Sequence, residues 1–326
     1  MSRAIHDTET AIDHQVGPRG RFVLRQASGE VSIRGVEGDR IRVRTDDDEA
    51  FRERFSIETG KDSVEIRQTE KLGFGIFGRG EGVDIEVEVP HGATVSIETQ
   101  SGDIEAYDLS GTKAFRSASG EIVLSRLSGA VEVETVSGDL EIEGPAPLDL
   151  KARTVSGDVE IRVPMLRRLD LGTTSGDMQL DAELRGEGPF AVRTISGDVE
   201  IVGRSGIRIE AETITGDLSS DLPGKRESQL GRRVIIVGRP GPTLSFRSVS
   251  GDLHVAEARV AAPILEEASM SENQAASTSD AATTTEAGQS GDADARRLEI
   301  LRELERGDIS VVEAGEQLGE LDEVLR

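Results

Sequence analysis

Carboxylates, hydroxyls and glycines recur at fixed spacing along this chain, and they are its residues best suited to binding or chemistry. Eight glycines are each preceded by a hydroxyl residue and followed by an acid, namely Gly102, Gly120, Gly138, Gly157, Gly176, Gly197, Gly216 and Gly251. A further Ser or Thr stands three positions before each of them. Repeated carboxylates can hold calcium, and repeated hydroxyls can donate hydrogen bonds to the backbone.

The acid after each glycine has two interpretations. Calcium-binding β-rolls use a G-G-x-G-x-D pattern at nine-residue spacing. Here Gly111 and Gly129 lie nine residues after turn glycines, but Thr112 and Ala130 follow them instead of acids. An acid in a turn also accepts hydrogen bonds from nearby backbone N–H groups. We expect the backbone role, and calcium binding stays open as the alternative.

The residues around each glycine predict two short strands joined by a turn. Apolar residues alternate after the glycine, as in Val159 and Ile161, and before it, as in Leu150 and Ala152. A period of two marks a half-buried strand. The glycines lie 18, 18, 19, 19, 21, 19 and 35 residues apart. Because a two-strand module cannot bury its own apolar face, stacked copies must share one core.

Charges four positions before the glycines favour parallel, in-register stacking. This column contains Glu98, Arg116, Glu134, Arg153, Gly172, Arg193, Glu212 and Arg247. Same-column residues of neighbouring modules lie about 4.8 Å apart, so alternating signs attract. We therefore predict an all-β fold, a parallel β-solenoid of about eight coils of 18–19 residues. The hydroxyl columns should face inward as ladders.

The stretches "ATVSIETQSGDIEA" and "VEVETVSGDLEIEG" resemble the bacterial putative-adhesin family of β-repeat domains, largely of unknown function. The resemblance covers roughly residues 20 to 258. It implies a β-solenoid-like rod without an established enzymatic activity. The family name implies display outside the cell.

Composition excludes several classes of function. The 326 residues contain no cysteine, which excludes disulfides, thiolate metal sites and cysteine nucleophiles. The net charge of -24 opposes binding to nucleic acid or anionic lipid, so a charged partner should be basic. Adaptation to salt explains the same charge equally well. No apolar stretch is long enough to form a transmembrane helix or the core of a signal peptide. We therefore expect a cytoplasmic protein without an integral membrane segment.

Sequence motifs do not indicate an enzyme. Catalysis needs one unsymmetrical constellation, whereas these acids and hydroxyls repeat, and the histidines His6, His14, His91 and His254 are scattered. No G-x-S-x-G or H-E-x-x-H motif is present. We predict no catalytic residue, cofactor or metal.

The segment "LGFGIFGRG" has the G-x-G-x-x-G spacing of a dinucleotide loop. A strand-like segment, "VDIEVEV", follows it, whereas a phosphate loop must open a helix. We interpret it as a hairpin tip on which Phe74, Ile76 and Phe77 contact either a partner or the rod itself. The basic stretch "GKRESQLGRRVIIVGRPGP" is predicted to be a solvated insertion loop, with contact to an acidic partner or to the chain's own acidic tail as the alternative.

The sequence divides into five predicted segments. These are a disordered N-terminus (1–20), an irregular β cap (21–98), the regular solenoid (99–258), an acidic disordered linker (259–293) and a helical hairpin (294–326). The hairpin resembles SHOCT-like modules, which implies oligomerisation or docking. Its candidate contact residues are Leu298, Leu301, Leu318, Leu321 and Leu325.

These features together predict a non-enzymatic scaffold or binding protein. A solenoid rod would be tethered to a helical module that binds a protein partner or self-associates, in an envelope-associated or regulatory role. The alternative is a structural protein whose rods stack end to end into filaments, because solenoid ends invite stacking.

Overall fold

A computed structural model describes residues 10–69, 82–204, 206–229, 232–238 and 241–257. All of them belong to one compact unit, Met1–Ala261. The predicted linker and helical hairpin lie outside the described residues.

The described residues form 24 strands and one short helix. The first twelve strands are β1 (Thr10–Gln15), β2 (Arg21–Ser28), β3 (Val31–Val36), β4 (Arg40–Thr45), β5 (Phe55–Thr59), β6 (Ser63–Gln68), β7 (Ile85–Pro90), β8 (Thr94–Ser101), β9 (Ile104–Tyr107), β10 (Lys113–Ser119), β11 (Ile122–Ser125) and β12 (Gly129–Ser137). The others are β13 (Leu140–Glu143), β14 (Leu148–Arg153), β15 (Val159–Gly172), β16 (Met178–Leu184), β17 (Phe190–Arg193), β18 (Val199–Gly203), β19 (Ile207–Thr215), β20 (Leu218–Ser220), β21 (Gly224–Gln229), β22 (Arg232–Val237), β23 (Thr243–Ser250) and β24 (Leu253–Glu257). The helix α1 spans Asp48–Arg54.

The strands form two continuous stacks, because each coil places one strand before its turn and one strand after it. The first stack runs β5, β6, β2, β8, β10, β12, β14, β15, β17, β23, β19, β22, β21. The second runs β1, β4, β7, β3, β9, β11, β13, β15, β16, β18, β24, β20. Strand β15 belongs to both stacks, since its first residues pair with β13 and its last residues pair with β14.

Pairing between coils is parallel and in register, which confirms the solenoid-like repeat. Arg116 lies directly opposite both Glu98 and Glu134, as the alternating charges predict. The Nε atom of Arg116 is 2.7 Å from a Glu134 carboxylate oxygen. The same column contains Arg247, whose Nε lies 3.1 Å from Glu212.

Spatial order departs from chain order at both ends of the stacks. The coil of Gly251 (β23 and β24) lies between the coils of Gly197 and Gly216. At the other end, the coil of Gly29 (β2 and β3) lies between β6–β7 and β8–β9, inside the segment predicted to be an irregular cap. At the C-terminal end the chain forms the outer coil first and the inner coil afterwards. At the N-terminal end it forms the inner coil of Gly29 before the outer strands β6 and β7.

The long 35-residue step does not form the predicted solvated loop. Its residues form the hairpin β21–β22, which pairs antiparallel with β19. The prediction was wrong because it weighed the basic residues and overlooked the apolar run in β22, where Val234, Ile235 and Val237 are buried. A run of this kind covers the core at the end of the first stack.

Antiparallel strands and a helix cover the opposite end. Strand β1, within the segment predicted to be disordered, pairs with β4. Asp47 caps α1 by accepting a hydrogen bond from the Ala50 N–H, and Phe51 of α1 is fully buried, with its ring 5.0 Å from that of Phe55. None of the described residues forms a helix long and apolar enough to cross a lipid bilayer.

The core is aliphatic, with a few large rings such as Phe22, Phe115 and Phe246. The hydroxyl three positions before each turn glycine also faces inward, and in most coils it donates to a carbonyl of its own turn, as Thr173 Oγ1 does to Ser175 O at 3.0 Å. The hydroxyl immediately before the glycine is exposed in the coils of Gly102 to Gly251, whereas Ser28 in the coil of Gly29 is half-buried. The prediction that both hydroxyl columns face inward is therefore wrong for this second column, because the alternation of inward and outward side chains breaks at the turn.

Two constraints require glycine at the turns. The turn glycines have φ angles between 115° and 156°, which residues other than glycine rarely adopt. A Cβ atom at Gly157 would also overlap the carbonyl oxygen of Gly138 in the next coil. Each turn backbone thus packs directly on its neighbour.

Lys113 is a buried cation at the first position of β10. It occupies a column that is otherwise apolar, between Val95 and Val131, and its side chain is nearly inaccessible. Its Nζ donates to the carbonyl oxygens of Leu109, at 3.1 Å, and Ser128. Burial lowers the pKa of Lys113 to about 8.

Replacing Gly157 with alanine should lower the free energy of unfolding by more than the same change at Gly38. Gly38 has a similar φ of 137° but open space around it, so Gly38→Ala tests backbone strain alone, about 1–3 kcal/mol. Gly157→Ala adds the overlap with Gly138. Urea unfolding measures both variants, and equal losses would contradict direct turn-on-turn packing.

Lys113 should make the folded state more stable as the pH rises from about 8 to 10.5. In that window the unfolded chain keeps the lysine proton and the native chain releases it, so the free energy of unfolding increases with pH. Lys113→Met should remove this increase, whereas Lys151→Met, on the surface beside Glu132, should not. Urea unfolding at several pH values measures the difference, and parallel curves for wild type and Lys113→Met would refute the assignment.

Candidate functional site

The turns of successive coils form one edge of the solenoid, which we call the turn edge. Two columns of side chains run along it. The acid ladder consists of the residues after the turn glycines, and the apolar row consists of the residues two positions before them. The exposed hydroxyl column lies between these two.

The acid ladder is held by hydrogen bonds between coils. The backbone N–H of Asp177 donates to Oδ1 of Asp158 at 2.8 Å, and the N–H of Asp198 donates to Oδ1 of Asp177 at 2.8 Å. The same bond links Asp252 to Asp198 and Asp217 to Asp252. These bonds match the backbone role expected for the acids, and they leave the second oxygen of each carboxylate free of this ladder.

Glutamate interrupts the ladder. In the described part of the chain the carboxylates of Glu30 and Glu121 accept no bond of this kind, since their extra methylene moves the oxygens out of line. Burial raises the pKa of Glu30 above its ordinary value, and the nearby carboxylates of Glu105, Asp84 and Asp103 raise it further. Stacked acids therefore repel one another here, as like charges at coil spacing must.

Most of the ladder has no cationic partner. Among the described residues, the ladder's ion pairs involve only Asp217, whose Oδ1 lies 3.7 Å from Arg233. Asp139, Asp158, Asp177 and Asp198 are exposed on consecutive coils. This part of the turn edge is consequently a line of uncompensated negative charge.

A groove of about 640 Å³ runs beside the ladder on the outer face of the second stack. Asp158, Asp177 and Asp198 form one side of it, and Glu160 and Glu200 are among its other lining residues. The groove can accept cationic side chains, because carboxylates line it from two columns.

The apolar row lies on the other side of the exposed hydroxyls. In stack order its large members are Val136, Val155, Ile195, Val249 and Ile214, with Thr174 between Val155 and Ile195. The side chains of the five aliphatic members are 46% to 78% exposed. Their backbone is engaged all the same, since Ser156 N donates to Val136 O and Ser175 N donates to Val155 O.

Towards the N-terminal coils the same row becomes small or polar and lines a second groove of about 460 Å³. Ala27, Gln100, Ala118 and Val136, which occupy positions of the row, are among its lining residues. Charged pairs accompany it, with Arg25 3.2 Å from Glu98. The turn edge is therefore divided into a polar half and an apolar half.

Ser219, His254 and Asp221 form a hydrogen-bonded series at the C-terminal end. Ser219 Oγ lies 2.9 Å from His254 Nδ1, and His254 Nε2 lies 3.1 Å from Asp221 Oδ2. A catalytic triad places the acid in a buried position behind the histidine. Here the Asp221 side chain is 59% exposed, so the series resembles a surface network that joins β20 to β24.

The contact residues predicted from the sequence stay a prediction. Phe74, Ile76, Phe77, Leu298, Leu301, Leu318, Leu321 and Leu325 lie outside the described residues. Sequence reasoning missed the apolar row, although its column stands between the two hydroxyl columns. Within the described ranges, no three acidic or histidine side chains are grouped in a way that could hold a metal ion.

The ladder bonds predict different effects for two substitutions of Asp177. Asp177→Asn keeps an acceptor for the Asp198 N–H and removes repulsion from Asp158 and Asp198, so stability at low salt should stay unchanged or rise slightly. Asp177→Ala removes the acceptor and should cost about 1 kcal/mol. Urea unfolding at low and high salt distinguishes them, and equal destabilisation by both variants would contradict the ladder.

Comparisons with known proteins match most of the chain to one family model. The family model described as Toastrack DUF4097 matches residues 21–256. No curated protein shows a significant sequence match to the chain.

The solved structures that match the chain are distant from it in sequence. A putative lipid binding protein from Parabacteroides distasonis is 14% identical, with a TM-score of 0.49, and the alignment covers 76% of this chain and 96% of that one. A putative adhesin from Bacteroides fragilis is 11% identical, with a TM-score of 0.42 and coverage of 75% and 95%. A putative cell adhesion protein from Clostridium sporogenes is 12% identical, with a TM-score of 0.27 and coverage of 77% and 100%. The family match, its extent and the repeated coils agree, and the chain belongs to the Toastrack DUF4097 family.

Proposed function

We propose that this protein is a non-enzymatic scaffold that binds a protein partner along the turn edge of its solenoid. The observation that carries the proposal is the repetition of exposed side chains at coil spacing. Val136, Val155 and Ile195 project from equivalent positions, and Asp139, Asp158 and Asp198 accompany them. A repeated surface of this kind suits an extended partner, whereas catalysis needs one unsymmetrical group of residues.

The C-terminal residues 294–326 have a separate part in this proposal. Their leucines recur at helical spacing, and the segment resembles SHOCT-like modules that imply docking or oligomerisation. A segment of this size gains stability by burying its leucines against another surface. The protein would then join two binding elements in one chain.

Self-assembly into filaments is the second candidate, and the ends of the two stacks argue against it. The outer strands β5 and β21 each belong to an antiparallel hairpin, and β21 exposes Lys225, Arg226 and Glu227. The outer strand β20 has only three residues. Short or charged edge strands oppose the pairing of one solenoid end with another.

Affinity capture from native lysate with the full chain tests the scaffold proposal. One variant carries serine in place of Val155, Ile195 and Val249 of the turn edge, and a second carries serine in place of Leu298, Leu301, Leu318, Leu321 and Leu325. Retained proteins are quantified by mass spectrometry. We expect a protein that is held by the wild type and reduced at least tenfold by the turn-edge variant, and a loss with the leucine variant would assign a partner to the C-terminal segment.

Sedimentation velocity of the purified chain tests the self-assembly alternative. If capture retains only the protein itself and the sedimentation coefficient rises steadily with concentration, the scaffold proposal is wrong and self-assembly replaces it.

A further inference from the structure

The exposed aliphatic side chains of the turn edge are unusual for a surface. Val136, Val155, Ile195, Val249 and Ile214 are isolated from one another in the sequence but follow one line in the stack. Scattered exposed aliphatic residues need no explanation, whereas a continuous apolar line with polar borders marks an interaction site.

The spacing of this line selects the geometry of its occupant. Neighbouring coils are about 4.8 Å apart, so the six positions from Val136 to Ile214 span about 24 Å. An α-helix that lies along the line presents an apolar residue every 3.5 residues on average, or about 5.3 Å, and reaches 24 Å in about 16 residues. Over this length the two repeats drift apart by about 2.3 Å, which is less than half of one coil spacing. An extended strand repeats its side chains every 6.6–6.8 Å or so and falls out of step sooner.

Charge selects the chemistry of that helix. The acid ladder runs parallel to the line, and its members Asp139, Asp158, Asp177, Asp198 and Asp252 have no ion-pair partner among the described residues. Beyond the ladder, carboxylates line the 640 Å³ groove. Lysine or arginine side chains on the flank of a helix could reach both, whereas an acidic helix or a second copy of this edge would be repelled.

The line is also rigid enough to act as a preformed site. Backbone N–H groups of Ser156, Ser175, Ser196 and Ser250 donate to the carbonyl oxygens of the row at 2.8 to 3.0 Å. Binding would therefore order only the occupant, which limits the entropic cost of association.

We propose that the apolar row and the acid ladder together form a docking site for a basic amphipathic α-helix of a partner protein. The inference rests on the scaffold function proposed above and adds the chemistry and conformation of its partner. The aliphatic residues of the helix pack on Val155, Ile195 and Val249, and its basic residues face Asp158, Asp177 and Asp198.

A synthetic helical peptide tests this site directly on the full chain. The probe has 18 residues, with leucines at i, i+3, i+4 and i+7 spacing and lysines and arginines on the flanks, and binding is measured by fluorescence anisotropy. The triple substitution Val155→Thr, Ile195→Thr and Val249→Thr should weaken binding roughly tenfold or more. Thr174 already occupies this row, so threonine is compatible with the fold.

Ile57→Thr is the matched control. Ile57 is 40% exposed on β5, far from the row in stack order, and its replacement should leave peptide affinity unchanged. Circular dichroism of all variants verifies that the solenoid is folded.

The ladder is tested with Asp177→Asn and Asp198→Asn together, which keep acceptors for the N–H bonds between coils. This variant should bind the peptide more weakly at low salt and lose part of the salt dependence of the wild type.

Four results of the peptide measurements would overturn the inference. They are unchanged affinity of the threonine variant, equal binding of a peptide with glutamate in place of its basic residues, equal binding of a peptide with the same composition but scrambled leucines, and no gain of helical signal in the bound peptide. Dissociation of an oligomer by the threonine substitutions, seen in sedimentation velocity without peptide, would identify a second copy as the occupant and also overturn it. If lysate capture succeeds while the peptide fails, only this inference falls and the scaffold function stands.

Discussion

Parallel, in-register pairing at about 4.8 Å per coil is the constraint on which the rest of this structure depends. In the parallel strands a residue of one coil faces the equivalent residue of the next, so each column must tolerate its own repetition. Glycine meets this condition at the turns, where Gly157 packs on the backbone of Gly138. Aliphatic residues meet it in the core. Inward threonines meet it by donating to a carbonyl of their own turn.

Charged columns face a harder form of the same constraint, and the structure contains two solutions. In the first stack, opposite charges alternate and pair, as Arg116 and Glu134 do. At the turn edge all signs are the same, and backbone N–H groups such as that of Asp198 bind the carboxylates instead. A hydrogen bond from a neutral donor satisfies one oxygen but leaves the charge in place. The acid ladder is therefore compatible with the fold and still available to an external cation.

Much of the repeat could be predicted from the sequence, because each column is defined by the position of a residue within one module. The turn glycines, the alternating strands and the register of Arg116 against Glu98 and Glu134 follow from spacing and charge alone. The candidate site was less accessible. The side-chain direction at Val155 cannot be derived from alternation, since the turn interrupts the period of two between Thr154 and Val159. Basic residues likewise concealed the strand β22, whose Val234 and Ile235 are buried.

The sequence by itself determined the coil, its register and the chemistry of each column, since these depend on residues within one module and its copies. Tertiary structure alone decided the order of the coils. The coil of Gly251 lies inside that of Gly216, and the coil of Gly29 lies inside β6 and β7. Any two copies can pair when their columns match, so local pattern does not distinguish among stacking orders. The antiparallel hairpins at the ends select one order, because each covers an exposed edge. That order places Val249 between Ile195 and Ile214 in the apolar row.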